Sequence, residues 1–309
     1  MKRILSMILV AALMLSVLAF VGCNKKEETL KLGLGVYTTA QVTNASEDQN
    51  GSATENSVVA AVLVDSEGKI VKCVIDSTDG TVAYTADGKA LANDSFTTKN
   101  EQRTADGMGR ATQEWYAQAE DFCALAEGKT LSEVKNSVDG SNEKIAFVSA
   151  LEKAVNGALD SNATAKDSLK IGVSTAQNTK DAKGEANGYN QLETTFFAAA
   201  VNGEGKIVAA KAECVQVDFT FDINGVSKFD TARAILGKYE QGNDYDMLEG
   251  GAIKEWYAQA DAFCAACIGK TVSEVTSLMG EDNHGTADIK AAGCTILVDG
   301  FVKAASKIK

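Results

Sequence analysis

The chain has 309 residues, 45% apolar and 23% charged, with 30 basic and 42 acidic side chains and a formal net charge of −12. Such an acidic surface repels phosphate backbones and offers no polybasic face, which excludes nucleic acid as a partner. A single histidine, His284, leaves no zinc-finger ligand set and no His-dependent triad except through that residue. The length suits two domains of ordinary size. Proline is absent, so turns must be set by Gly, Asn and Asp, as at Asn202-Gly203 and Asn224-Gly225.

In chain order, Lys2 and Arg3 precede an apolar run that ends at Gly22-Cys23. This is the pattern of a signal peptide, residues 1–22. The ending Phe20-Val21-Gly22-Cys23 resembles a bacterial lipobox, with Phe where Leu is usual. The resemblance implies an acylated Cys23, a polar tether over 23–28, and a protein held by a lipid anchor on the extracytoplasmic face of the cell membrane. Six further cysteines lie scattered among apolar residues and are expected as buried free thiols. An extracytoplasmic address would also permit disulfides.

The rest of the chain repeats itself. EWYAQAEDFCALAEGKTLSEV at 114–134 and EWYAQADAFCAACIGKTVSEV at 255–275 agree at 15 of 21 positions. EGKIV recurs at 67–71 and 204–208, and Leu30-Lys31-Leu32-Gly33 is answered by Leu169-Lys170-Ile171-Gly172. These matches predict two tandem units, 29–160 and 167–309, joined by the polar segment 160–166. Each is expected to contain its own core.

Within each unit, apolar runs at 58–64 and 196–201 predict short strands, followed through Gly-containing turns by strands at 69–75 and 206–212. Residues 215–221 alternate as a further half-buried strand. The EWYAQA segments are predicted to begin helices, with Trp256, Ala260, Phe263, Cys264 and Cys267 on one face. Gly269 suits a helix stop, and TLSE (130–133) and TVSE (271–274) read as capping boxes of second short helices. Terminal helices are expected at 145–159 and 301–308. Strands followed by helices predict an α+β fold: two tandem copies of a mainly antiparallel sheet packed with helices.

Trp115, Tyr116, Trp256 and Tyr257 are read as core anchors, and Glu114, Gln118, Glu255 and Gln259 as candidates to tie the helix to neighbouring loops. Cys264-Ala265-Ala266-Cys267 has the spacing of a redox dithiol but falls at the end of an apolar helix face, so it is read as structural. Asp244-Tyr245-Asp246 resembles a fragment of a calcium loop without the full ligand series, and no metal is expected there.

The lipobox, the two units, the EGKIV turns, and TKNEQ (98–102) or GKYEQ (237–241) ahead of EWY together resemble bacterial FMN-binding-domain lipoproteins. That group includes the pheromone-precursor lipoproteins of Gram-positive bacteria. In such proteins a Thr after Asp and Ser-Gly-Ala carries FMN by a phosphoester that a separate flavin transferase installs. The second unit offers Asp288, Gly293, Cys294 and Thr295, with Ala292 in place of Ser and Cys294 in place of Ala. The resemblance implies covalent FMN at Thr295, supported by Gly293, Asp288, Cys294 and His284. The first unit lacks Gly-x-Thr at the corresponding place and is expected to carry no flavin. The function implied is that of a flavin carrier in extracytoplasmic electron transfer with redox partners, rather than a stand-alone enzyme. Two alternatives stand beside it: a degenerate binding or structural lipoprotein without flavin, and a pheromone precursor whose octapeptide is LSVLAFVG (15–22).

Overall fold

A computed structural model describes residues 27–103, 110–138 and 140–308; Cys23 and the signal segment lie outside them. Strands β1 (Lys31–Thr43), β2 (Gly51–Val64) and β3 (Ile70–Tyr84) form an antiparallel meander. Two-residue strands flank it, β4 (Ala90–Leu91) beside β3 and β5 (Leu159–Asp160) beside β1. A second antiparallel sheet contains β6 (Ser168–Lys180), β7 (Gly188–Val201) and β8 (Ile207–Phe221). The three long strands have 13, 14 and 15 residues in both sheets. Each starts 137 residues after its counterpart: Lys31 and Ser168, Gly51 and Gly188, Ile70 and Ile207. The fold is α+β.

The strands are longer than the apolar runs that announce them. In β2 and β7 the first half alternates buried and half-buried positions, whereas the second half is buried on both faces. Only the doubly covered half needs a continuous apolar sequence, so the runs at 58–64 and 196–201 mark half a strand each. Likewise 206–212 and 215–221 are not two strands but parts of one, β8. A β-bulge inserts Val71 into the β2–β3 ladder and Val208 into β7–β8, since Leu63 pairs with Lys72 while Val64 pairs with Ile70, and Ala200 with Ala209 while Val201 pairs with Ile207. The extra residue keeps Ile70 with Cys73 and Ile75, and Ile207 with Ala212 and Cys214, in the layer under the helices.

Helices cover the outer faces. In the first half these are α1 (Lys99–Arg103), α2 (Arg110–Ala126), α3 (Leu131–Ser137) and α4 (Asn142–Asn156). The second half has α5 (Lys238–Gln241), α6 (Trp256–Cys267), a 3-10 turn at Ser273–Leu278, α7 (Ala287–Ala292) and α8 (Asp299–Ser306). Thr130 and Glu133 form the reciprocal capping box of α3. Thr271 and Glu274 make the same two bonds, but a 3-10 turn follows rather than an α-helix. The terminal helices also start earlier than their apolar residues suggest, at Asn142 and Asp299, and Leu159 belongs to β5. Helix α4 packs on β1 and β2, and α8 packs on β6 and β7. Glycine permits this contact: a Cβ on Gly33 or Gly172 would sit 2.0 Å from the carbonyl oxygen of Ala154 or Ala304.

Three apolar layers result. Leu32, Leu34, Val59 and Val82 of the first sheet meet Ile171, Leu192, Phe196 and Val217 of the second in a central core between the sheets. Outer cores lie between each sheet and its own helices, around Phe122 and Phe147 in one half and Phe263 and Phe301 in the other. The order is helices, sheet, sheet, helices. Each half owns its outer core, but the inner face of each sheet is buried only by the other sheet. The segment 160–166 is strapped down rather than loose: Leu30 N–H donates to the Ala163 carbonyl (2.7 Å) and Ala163 lies in the central core.

Candidate functional site

The repeated hexapeptide sits differently in the two halves. In the second half EWYAQA opens a helix, with Trp256 as its first residue and Glu255 as N-cap. In the first half EWY lies inside α2, which starts at Arg110. The helix faces differ accordingly. Trp256, Glu255 and Gln259 are buried, whereas Trp115 is half-buried and Glu114 and Gln118 are exposed.

In the second half this burial organises the chain around Thr295. The Glu255 carboxylate accepts hydrogen bonds from the backbone N–H of Met247 (3.0 Å) and Leu248 (3.3 Å). Gln259 has no solvent exposure, and its amide bonds to two loops. Its Nε2 donates to the Lys254 carbonyl (2.8 Å), and its Oε1 accepts from both the backbone N–H (2.8 Å) and the hydroxyl (3.1 Å) of Thr295. A buried amide that makes three hydrogen bonds in this way ties the two loops together.

Gly293, Cys294 and Thr295 form the turn that leaves α7. Gly293 adopts φ 101°, a conformation that favours glycine, and ends the helix with its N–H bonded to the Lys290 carbonyl (3.0 Å). The Lys254 ammonium lies against Gly293, where an added Cβ would come within 2.2 Å of Nζ, and donates to the Ala292 carbonyl (3.4 Å). The Cys294 thiol points into the outer core, and burial pushes it up to about 11. It is therefore a packing group, not a nucleophile. Thr295 itself is exposed.

The remaining predicted residues are placed less directly. His284 is half-buried and is brought beside Leu297 by an antiparallel bridge, two residues beyond Thr295. Its Nδ1 is engaged by the carbonyl of Asp282 (3.0 Å), so the ring serves its own loop. Asp288 stands exposed in the first turn of α7. Gly293, Cys294 and Thr295 thus form one unit with Gln259 and Lys254, while His284 flanks it and Asp288 lies on the neighbouring helix.

Three clefts lie elsewhere, on the seam between the halves. One of about 290 Å³ is lined by Cys73 and Asp76 of β3, Tyr116 and Cys123 of α2, and Lys170 of β6. A second, of about 230 Å³, lies between β8, α6 and the strapped segment, with Lys211, Asp261 and Cys264 in its wall. The third, about 340 Å³, joins Lys153 and Asn156 of α4 to Lys211, Glu213 and Tyr239. An ion pair between Lys153 and Glu240 (2.7 Å) links the two halves there. Lys211 donates to the Gly157 carbonyl (2.6 Å), with its ammonium 4.4 Å from the centre of the Tyr239 ring, and burial holds its pKa below the usual lysine range. Glu213 is pushed up to about 7 by burial, although its carboxylate accepts from the N–H groups of Tyr239, Cys214 and Glu240.

Sequence reasoning did not find this seam. Its only signal is a Lys and a Glu in the middle of an apolar strand, at 211 and 213. The two tryptophans pack against phenylalanines, Trp256 5.6 Å from Phe301 and Trp115 5.7 Å from Phe147, and Tyr116 packs on Trp115, but Tyr257 is half-buried and pairs with Tyr239 instead of entering the core. Among the described residues no helix is long and apolar enough to cross a membrane. No protein-family model, curated protein or solved structure matches the chain.

Proposed function

We propose that this protein is an acyl-anchored extracytoplasmic lipoprotein whose second half carries flavin mononucleotide on Thr295 as an electron carrier. The observation that supports this reading is the presentation of Thr295: the residue is exposed on the turn that leaves α7, with its hydroxyl proton directed to the fully buried Gln259. That bond leaves the oxygen's remaining lone pairs to an incoming phosphorus. The Lys254 ammonium beside Gly293, two residues before Thr295, would bring a positive charge toward a phosphoester formed there. These residues fit the link, and the exposed apolar side chains of Leu297, two residues beyond Thr295, and of Ile253, next to Lys254, suit the edge of an aromatic ring. When bound, the flavin supplies one- and two-electron transfer. The first half lacks the arrangement, because its Gln118 is exposed and its terminal helix α4 follows without a Gly-x-Thr turn.

The test expresses wild type and Thr295→Ala beside an active flavin transferase, and compares intact mass and flavin fluorescence after denaturation. Flavin on the wild type alone is the expected result. Equal flavin in both proteins, or flavin mapped to the first half, overturns the assignment. A second reading, a flavin-free binding lipoprotein, is favoured by the position of the three clefts, none of which reaches Thr295. Absence of flavin from wild type in the same experiment selects it.

A further inference from the structure

The seam cleft beside α2 holds two thiols from different elements. Cys73 of β3 and Cys123 of α2 both line it, in the layer where α2 packs on β3, and the two thiols are near enough to perturb one another. Cys73 is buried and Cys123 half-buried, so the pair is reached from solvent through Cys123. The other described cysteines differ. Cys214, Cys264, Cys267 and Cys294 are buried in the outer core of the second half. There, Cys264 occupies the place of Cys123 in the repeated helix, but the strand position matching Cys73 is Ala210. A sheet-to-helix thiol pair thus belongs to the first half alone.

We propose that Cys73 and Cys123 form a reversible disulfide that staples α2 to β3, made by exchange with an external low-molecular-weight disulfide entering through this cleft. The Cys123 thiolate attacks one sulfur of that disulfide. A mixed disulfide forms on Cys123, and the first thiolate released takes up the proton Cys123 lost. The Cys73 thiolate then attacks the Cys123 sulfur and expels the second thiol, which takes the proton of Cys73. The two cysteines are oxidised by two electrons, and the external disulfide is reduced to two thiols. The order follows from exposure: Cys73 is buried, and the neighbouring Cys123 thiol and then burial hold it well above its ordinary range. The half-exposed Cys123 starts the reaction and Cys73 resolves it. An extracytoplasmic address would supply oxidising conditions, but the chemistry does not depend on it.

The experiment uses the full-length chain, reduced and then incubated with oxidised glutathione. Unreacted thiols are alkylated under denaturing conditions, and disulfide-linked peptides are mapped by mass spectrometry. One linkage between Cys73 and Cys123 is expected, with Cys214, Cys264, Cys267 and Cys294 all alkylated. Cys73→Ser should halt at a glutathione adduct on Cys123, with its circular dichroism unchanged. Three results would overturn the proposal: all thiols remaining alkylatable, a different pair linked, or a persistent glutathione adduct on Cys123 of the wild type. If Cys73→Ser does not fold, the wild-type peptide map decides alone.

Discussion

Glu55 gives the most quantitative handle on this fold. It stands on β2 with 1% exposure, between the two sheets, and its neighbours are hydroxyls. Ser57 donates to Oε1 (2.8 Å) and Thr194 of the other sheet lies 3.4 Å from Oε2. Burial pushes this carboxyl from 4.5 to about 7, against the two hydroxyl bonds. The folded chain therefore keeps the proton in a range where the unfolded chain has released it. Stability contributed by Glu55 is complete below pH 4.5, is lost as pH rises between 4.5 and about 7, and changes no further above that. At about 1.4 kcal/mol per pH unit, the loss comes to about 3 kcal/mol. Glu55→Gln keeps the shape and removes the titration. Its amide oxygen can take the Ser57 bond, and its amide N–H can donate to Thr194, whose hydroxyl has a second partner in Thr175 (3.1 Å). We expect the variant to match the wild type near pH 4.5 and to exceed it by about 2–3 kcal/mol at pH 8. Urea unfolding followed by tryptophan fluorescence across that range measures the difference. Glu213, also pushed up to about 7, titrates in both proteins and cancels in the comparison. A difference that stays constant with pH would refute the reasoning.

Other outcomes follow from the same structure. Gly172→Ala places a Cβ 2.0 Å from the Ala304 carbonyl oxygen, so α8 must shift; a loss of about 3 kcal/mol or more is expected in denaturant titration, with Gly33→Ala costing a similar amount against α4. Residues 27–160 expressed alone should bind a hydrophobic dye or self-associate, because Leu32, Leu34 and Val59 lose their cover; a dye-silent monomer by light scattering would contradict the shared central core. Gln259→Ala should cost about 1–3 kcal/mol and speed amide exchange at Thr295, since it strips partners from two loops, whereas Thr295→Ala should cost less than about 1 kcal/mol. Cys23→Ala should move the protein from the membrane fraction to the soluble one on immunoblots; retention without acyl modification would remove the anchor.

Much of the architecture was legible in the sequence because it depends on local pattern. Repetition of EWYAQA and EGKIV located corresponding elements, and the Thr130–Glu133 spacing located the start of α3, since a capping box involves residues three apart. Strand length was not legible: the polar first halves of β2 and β7 are held by ladder bonds and by one covered face, which a search for apolar runs overlooks. The different roles of two identical hexapeptides were hidden as well. Six shared residues cannot specify whether a helix begins at Trp256 or earlier, at Arg110; the preceding chain decides that, and with it whether a glutamine is exposed at 118 or buried at 259. What tertiary structure alone decided is the meeting of the sheets. The sequence determined two mainly antiparallel sheets packed with helices, because periodicity fixes the faces of a strand and a helix. It did not determine that the opposite faces cover one another, placing Glu55 between sheets and Cys73 against Cys123. Those contacts join residues far apart in the chain, and their energy comes from water excluded between surfaces that no local pattern describes.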